Sequence, residues 1–119
     1  AVVPSEEGFL LAEVPLGQGI TPLSKIMEVV RRGRSDIRFC LEMITRDPLE
    51  IPCLKNHYWS VFDGVAGSEL ARSLRMVKQN SYKPHLPRVS QLGEEDKLAI
   101  EEKNILECLQ YSKDRLGTK

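Results

Sequence analysis

The chain has 119 residues, of which 41% are hydrophobic and 29% charged, as in one globular domain rather than a disordered or fibrous polypeptide. Lysine plus arginine and aspartate plus glutamate number 17 each, and this zero net charge gives no electrostatic basis for binding nucleic acid or an acidic membrane surface. No apolar run approaches the roughly 18 residues of a membrane-spanning helix, so neither a nucleic-acid nor a membrane partner is predicted.

The cysteines indicate the cellular compartment of the protein, and the N-terminal residues indicate whether the chain is a fragment. Cys40, Cys53 and Cys108 lie far apart, a spacing that fits neither a secreted disulfide framework nor a paired-cysteine zinc site. Free thiols are typical of a reducing compartment, so a cytoplasmic protein is expected. Residues 1–7 lack an initiator methionine and the basic and apolar regions of a signal peptide. We therefore expect the chain to be a fragment of a longer gene product.

The first part of the chain is predicted to run from a short extended segment into a glycine-containing loop. Residues 9–14 form the extended segment, which ends at Pro15, and Gly17 and Gly19 then flank Gln18 in the loop. Two glycines so placed usually mark an ordinary turn, although the backbone there can also approach a ligand closely. They match no phosphate-binding or dinucleotide-binding fingerprint.

A helix is predicted next, with Thr21 as its N-cap, Pro22 as its first residue and Gly33 as its stop. Apolar residues recur on one face at Leu23, Ile26, Met27 and Val30. The basic residues near its C-terminus, Arg31 and Arg32, suit the negative end of the helix dipole. A solvated helix end explains them better than a nucleic-acid patch does, because no aromatic residues interleave with them.

Residues 37–43 carry the alternating pattern of a strand. Apolar side chains occupy one parity, at Ile37, Phe39, Leu41 and Met43. Such alternation is typical of a strand face that packs against helices. The other parity carries Glu42, a carboxylate that is costly to bury without a cation, a hydrogen-bond donor or a metal beside it. The sequence therefore predicts a strand that brings Glu42 to its C-terminal end, but no later segment offers a convincing strand to pair with it.

The second half of the chain is predicted to be an aromatic loop followed by two helices. The densest aromatic cluster comprises Tyr58, Trp59 and Phe62. It either anchors a packed loop or lines a binding surface, packing being the commoner role of aromatic side chains. One helix is expected from Ser68 to about Asn80, and a longer one from Glu94 to a stop at Gly117. The acidic residues that open the longer helix suit the positive end of its dipole and do not indicate a metal site.

Three of these features together resemble one known family. They are the loop Pro15-Leu16-Gly17-Gln18-Gly19, the helix capped by Thr21 and Pro22, and the segment Leu41-Glu42-Met43-Ile44-Thr45-Arg46-Asp47-Pro48-Leu49. In this order they resemble the C-terminal part of the sugar phosphate isomerase/epimerase family, the xylose-isomerase-like TIM barrels. The resemblance covers the first half of the chain well and the helical remainder only loosely.

The resemblance implies an α/β fold, namely a C-terminal fragment of a (β/α)8 TIM barrel. The fragment would hold the last barrel helix and strand plus a helical C-terminal extension, and would be mostly helical by content. Residues 1–62 would comprise the last barrel loop, helix and strand with the aromatic loop, and residues 63–119 the extension. A complete barrel needs about 200 residues or more, so its other strands would lie outside this chain.

The resemblance also implies a function for Glu42. In that family the glutamate at the end of the last strand is one of several ligands of a divalent metal cation, and barrel active sites lie at the C-terminal ends of strands. The identity of the metal is not implied. The other ligands would lie on strands outside this chain, so the site here is incomplete. Arg46 and Asp47 would either bind a phosphate or carboxylate of the substrate or pair with each other.

The implied protein is a divalent-metal-dependent sugar or sugar phosphate isomerase/epimerase, to which this chain contributes one metal-ligand glutamate. The isolated chain is expected to be inactive. Its partners would be the sugar or sugar phosphate and the remainder of the barrel, or another chain that completes the sheet. The alternative is a small, mainly helical protein-interaction domain without catalysis. That alternative predicts one closed core uniting Leu23, Ile26, Leu74, Val77, Leu98, Ile105 and Leu109.

Overall fold

The computed structural model describes residues 1–117, and this part of the chain contains three strands and three α-helices. The strands are β1 (Val2–Ser5), β2 (Gly8–Leu11) and β3 (Leu49–Ile51), and the helices are α1 (Leu23–Gly33), α2 (Gly67–Gln79) and α3 (Glu94–Leu116). Short 3-10 helices cover Asn56–Val61 and Val89–Gln91. Within residues 1–117, no helix combines the length and the apolar character needed to cross a bilayer.

The described chain divides into two compact units. The first comprises Ala1–Ala12 and Asp47–Arg88, and it holds the sheet and α2. The second comprises Glu13–Arg46 and the described residues from Val89 onward, and it holds α1 and α3. Each unit is therefore assembled from two segments that are distant in the sequence.

The sheet is not part of a TIM barrel, so the predicted barrel fragment is wrong. β1, β2 and β3 run antiparallel in the order β1-β2-β3, whereas barrel strands are all parallel. The predicted last barrel strand, residues 37–43, is not a strand, and residues 37–48 have no regular secondary structure. No strand within residues 1–117 pairs with this segment, and without a partner its backbone groups are left to water.

The sheet forms instead around a hairpin that the sequence pattern indicates only in part. β1 and β2 pair in a register that places Ser5 opposite Gly8 and leaves Glu6 and Glu7 as the turn. Such short loops close at low entropic cost, which favours the pairing of neighbouring segments. Gly8 has a φ of 152°, and a Cβ there would overlap the backbone oxygen of Ile51, so glycine is needed for β3 to approach this closely.

The core of the first unit lies between the sheet and α2. Val2 and Val77 are each 1% exposed, and Cys53 is 4% exposed. The backbone N–H of Tyr82 donates to the carbonyl of Val2 at 2.9 Å, which ties the chain after α2 to β1. The indole N–H of Trp59 donates to the carbonyl of Cys53 at 2.9 Å. The aromatic cluster is thus anchored by a hydrogen bond as well as by contacts between its rings.

Helices α1 and α3 build the second unit and lie close to their predicted positions. α3 begins at the predicted Glu94 and is followed by Gly117, whose φ of 61° is the left-handed conformation that ends many helices. α1 begins at Leu23, and the predicted threonine cap is wrong, because its N-cap residue is Pro22 and no side chain of residues 1–117 caps it. Met27 of α1 and Cys108 of α3 are buried, with 7% and 0% exposure.

Residues 1–117 do not form the single closed core that the helical alternative predicts. Ile26, Leu98 and Leu109 are 45%, 65% and 43% exposed. Leu74 and Val77 belong to the first unit, whereas the other residues of that predicted core belong to the second. The second unit therefore leaves hydrophobic surface open on both of its helices.

Candidate functional site

A cleft of about 380 Å³ lies in the second unit between α1, residues 39–42 and α3. Its walls are mostly apolar and include Leu23, Ile26, Phe39, Leu41, Leu109 and Leu116. Its polar groups come from Cys40, Glu42, Ser112 and Lys113. Small-molecule sites have this size and this combination of apolar walls with a few polar groups. The cleft is therefore the candidate functional site.

Glu42, the predicted metal ligand, lies on the wall of this cleft. It is exposed rather than buried at the end of a strand, because residues 37–48 form no strand. Its carboxylate makes no hydrogen bond or ion pair with any of residues 1–117. An ionised carboxylate can only accept, and with no protein donor both of its oxygens remain available to a ligand from outside.

The two predicted substrate-binding residues lie in different units. The Nε of Arg46 is 2.9 Å from a carboxylate oxygen of Glu13, with side-chain exposures of 64% and 41%. An ion pair this exposed contributes less than about 1 kcal/mol, so the guanidinium can exchange its partner at little cost. Asp47 is half-buried and belongs to the first unit. Of the predicted site residues, Glu42 is the one on the cleft wall.

Side-chain contacts, rather than backbone pairing, hold the segment that carries Glu42. The side-chain amide of Asn104 on α3 donates to the hydroxyl oxygen of Thr45 at 3.1 Å. The guanidinium carbon of Arg31 on α1 lies 5.4 Å from the centroid of the Phe39 ring, a cation–π contact. These contacts tie the segment to both helices, and Glu42 lies in the sequence between the two anchored residues.

The glycine-containing loop packs on α3. The backbone N–H of Leu16 donates to the Sγ of Cys108 at 3.3 Å. Gly17 has a φ of 82°, and a Cβ there would overlap the ring of Tyr111. Glycine at this position is explained by its left-handed backbone and by the close approach to the helix, so no bound ligand is needed to account for it.

A second cleft in the same unit is basic and has a volume of about 350 Å³. It is lined by Arg31, Arg32 and Arg115, together with Ser24 and Glu28, and it shares Met27 and Leu116 with the first cleft. Arg32 pairs with Glu28, whereas Arg115 has no ion pair among residues 1–117. The sequence pattern indicates only a helix end at Arg31 and Arg32. Arg115 lies far along the chain, so no local signal joins it to them.

The described residues do not fit a complete metal site. Among residues 1–117, no three histidine, cysteine, aspartate or glutamate side chains lie close enough together to hold a metal ion. Divalent magnesium and calcium take about six or more oxygen ligands, of which Glu42 supplies at most two. The three cysteines are free, with Cys40 exposed and the other two buried. Desolvation raises the pKa of the Cys53 thiol, which favours its neutral form over a metal-binding thiolate.

No family model, curated protein or solved structure matches this chain. The resemblance to the sugar phosphate isomerase/epimerase family therefore stays a prediction, carried by the motifs around Gly17 and Glu42.

Proposed function

We propose that this chain contributes Glu42 as one metal ligand to a divalent-metal-dependent sugar or sugar phosphate isomerase/epimerase-like protein. The observation that carries the proposal is the exposed Glu42 carboxylate, without a partner among residues 1–117, on the wall of a cleft of small-molecule size. Because this chain supplies one carboxylate and not a complete site, the isolated chain is inactive under this proposal.

The chemistry of Glu42 supports a ligand role. Carboxylate oxygens are the preferred ligands of hard divalent cations such as magnesium and manganese. Glu13 and Glu28 of the second unit pair with Arg46 and Arg32, whereas Glu42, like the exposed Glu101 and Glu102, has no ion pair among residues 1–117. Its place on the cleft wall distinguishes Glu42 from those two residues of α3. Lys113 lines the same cleft, but no cationic side chain of residues 1–117 forms an ion pair with Glu42.

The remaining ligands would come from another polypeptide chain. Exposed apolar side chains on the cleft walls, Ile26 at 45% and Leu109 at 43%, fit contact with such a chain. The free cysteines fit a reducing compartment, and we place the protein in the cytoplasm.

The basic cleft would take the phosphate of a sugar phosphate. Guanidinium groups bind phosphate through paired hydrogen bonds, and Arg31 and Arg115 line this cleft. The basic cleft and the first cleft share Met27 and Leu116, so that one substrate molecule would reach both clefts. Arg46 is exposed, and it would exchange its weak contact with Glu13 for an anionic group of the substrate.

Activity of the protein from its native source tests the proposal. Glu42→Gln is compared with Glu102→Gln, a matched control at an exposed carboxylate on α3. Interconversion of sugars and sugar phosphates is followed by NMR after EDTA treatment and again after manganese or magnesium is restored. We expect EDTA-sensitive activity that E42Q lowers at least about 100-fold, because even residues that only orient a metal ligand change affinity or activity by about 10–100-fold. The E102Q variant should match the unmodified protein, and equal activity of the two variants would contradict the proposal.

A protein-interaction role without catalysis is the second candidate. It is favoured by large apolar side chains at the surface of the second unit, where Val29, Leu98 and Leu106 are 66%, 65% and 58% exposed. Under this alternative no sugar is interconverted, and Leu106→Lys removes a stable complex from size-exclusion chromatography of a native extract without lowering the stability of the chain. An unchanged elution position for L106K would count against it.

A further inference from the structure

Residues 38–46 leave their backbone hydrogen-bonding groups open. None of their N–H or C=O groups bonds to another backbone group within residues 1–117. A strand requires negative φ angles, and no residue of this segment has a positive φ. Open backbone of this kind is a template for pairing with a strand from another chain.

The sequence of this segment alternates as in a strand, with Phe39 and Leu41 on one parity and Arg38, Cys40 and Glu42 on the other. All five residues are exposed, and residues 39–42, from both parities, line the cleft. Arg38, like Glu42, makes no hydrogen bond or ion pair with residues 1–117. Two opposite charges without partners therefore lie on one parity of the segment, on either side of Cys40.

These charges select one register for antiparallel pairing of two copies. Pairing centred on Cys40 places Arg38 of each copy opposite Glu42 of the other. Two equivalent ion pairs then form, related by one two-fold axis. Pairing centred on Leu41 sets Asp36 opposite Arg46, but these two already pair with Arg34 and Glu13 of their own chain, and Arg38 and Glu42 then face no charge. Pairing centred on Glu42 sets Arg38 opposite Arg46, which is unfavourable.

We propose that the occupant of this open edge is a second copy of the chain, and that residues 37–43 of the two copies pair as antiparallel strands centred on Cys40. Phe39 of each copy then faces Leu41 of the other, so that these two exposed apolar side chains cover each other. This pairing does not rest on the proposed function. In the pair Glu42 faces an arginine, so pairing and cation binding compete for the same carboxylate.

The size of the contact makes the dimer weak and concentration-dependent. Pairing of seven residues buries much less than the roughly 1,200 Å² of stable interfaces. Cys40 lies at the symmetry centre, where opposite Cα atoms are about 4.5–5.5 Å apart, within the range of a disulfide. Mild oxidation should therefore join the two Cys40 thiols, with two electrons and two protons passing to the oxidant diamide. Cys53 and Cys108 are buried and do not compete.

Charge reversal tests the proposed register. Sedimentation velocity over a wide concentration series and cross-linking by diamide are applied to the full chain. We expect Arg38→Glu and Glu42→Arg each to weaken dimerisation about tenfold, and the double variant to restore it to within about threefold. Cys40→Ser should abolish the cross-link without abolishing dimerisation. The changed positions are exposed, and circular dichroism checks that each variant remains folded.

Matched controls carry the same charge changes elsewhere. Arg75→Glu on α2 and Glu101→Arg on α3 lie at exposed positions and should leave dimerisation unchanged. The proposal is overturned if the controls weaken the dimer as much as R38E and E42R do, or if the double variant fails to restore it. A chain that stays monomeric at every concentration also overturns it, and leaves the open edge to a strand of a different protein.

Discussion

Replacing Gly17 by alanine tests how the loop before α1 is held against α3. Gly17 has a φ of 82°, and a Cβ there would overlap the ring of Tyr111. The left-handed conformation costs a residue other than glycine about 1–2 kcal/mol, and overpacking adds about 1–3 kcal/mol. We therefore expect Gly17→Ala to lower the free energy of unfolding by about 3 kcal/mol in urea denaturation, at an unchanged slope.

A matched control and a double-mutant cycle separate the backbone strain at position 17 from the overlap with the ring of Tyr111. Beyond its own helix and its chain neighbours, a Cβ at Gly33 would meet no heavy atom of residues 1–117 within 4 Å, so Gly33→Ala should leave stability unchanged or raise it by up to about 1 kcal/mol. Tyr111→Ala removes the overlap but not the backbone strain. The cycle of G17A with Y111A should therefore show a coupling of about 1–3 kcal/mol. Equal unfolding midpoints for G17A and G33A would refute the packing of this loop on α3.

Other predictions concern the cysteines and the segment that carries Glu42. Desolvation raises the pKa of Cys53 above its ordinary value of 9.0, so above that pH the unfolded chain loses the proton first and stability falls. Urea denaturation should show a smaller fall for Cys53→Ala, and identical pH profiles would contradict the assignment. Thr45→Val should lower the free energy of unfolding by about 1 kcal/mol through loss of the bond from Asn104, whereas unchanged stability would mean that this bond does not hold the segment. A thiol reagent should modify Cys40 in the folded chain and Cys108 only on unfolding, as followed by mass spectrometry; simultaneous modification would contradict the burial of Cys108.

The helices could be predicted from the sequence because their signals are local. The start of α3 at Glu94 and its end before Gly117 follow from acidic residues, apolar periodicity and a terminal glycine. The N-cap of α1 was predicted wrongly from an equally local signal. Thr21 is a residue type that often caps helices, but within residues 1–117 its hydroxyl makes no capping bond to α1. Capping depends on backbone geometry that a residue type alone does not determine.

Of the strands in residues 1–117, β2 overlaps the predicted extended segment of residues 9–14. β1 and β3 could not be predicted in this way, because a strand depends on a partner. Residues 37–43 have the alternation of a strand, yet residues 1–117 offer them no pairing. β1 contains Pro4 and β3 is a short stretch beside Pro48 and Pro52, so neither has a strong pattern, and both form because β2 pairs with them. The alternation of apolar and polar residues indicates which face of a strand would be buried. Whether the strand forms depends on its tertiary contacts.

The candidate site, like the fold, could be predicted from the sequence only where its signals are local. Glu42 could be singled out because a carboxylate within an apolar alternation is locally conspicuous. The basic cleft could not, because Arg115 meets Arg31 and Arg32 only through the packing of α3 on α1. The contact of Arg46 with Glu13 is likewise made by residues distant in sequence.

Metal content of the native protein measures the ligand role of Glu42 itself. The unmodified protein, E42Q and E102Q are isolated in parallel from the native source, and bound divalent metal per chain is measured by inductively coupled plasma mass spectrometry. We expect bound metal in the unmodified protein and in E102Q, and at least about tenfold less in E42Q. Equal metal content in all three, or none in the unmodified protein, would contradict it.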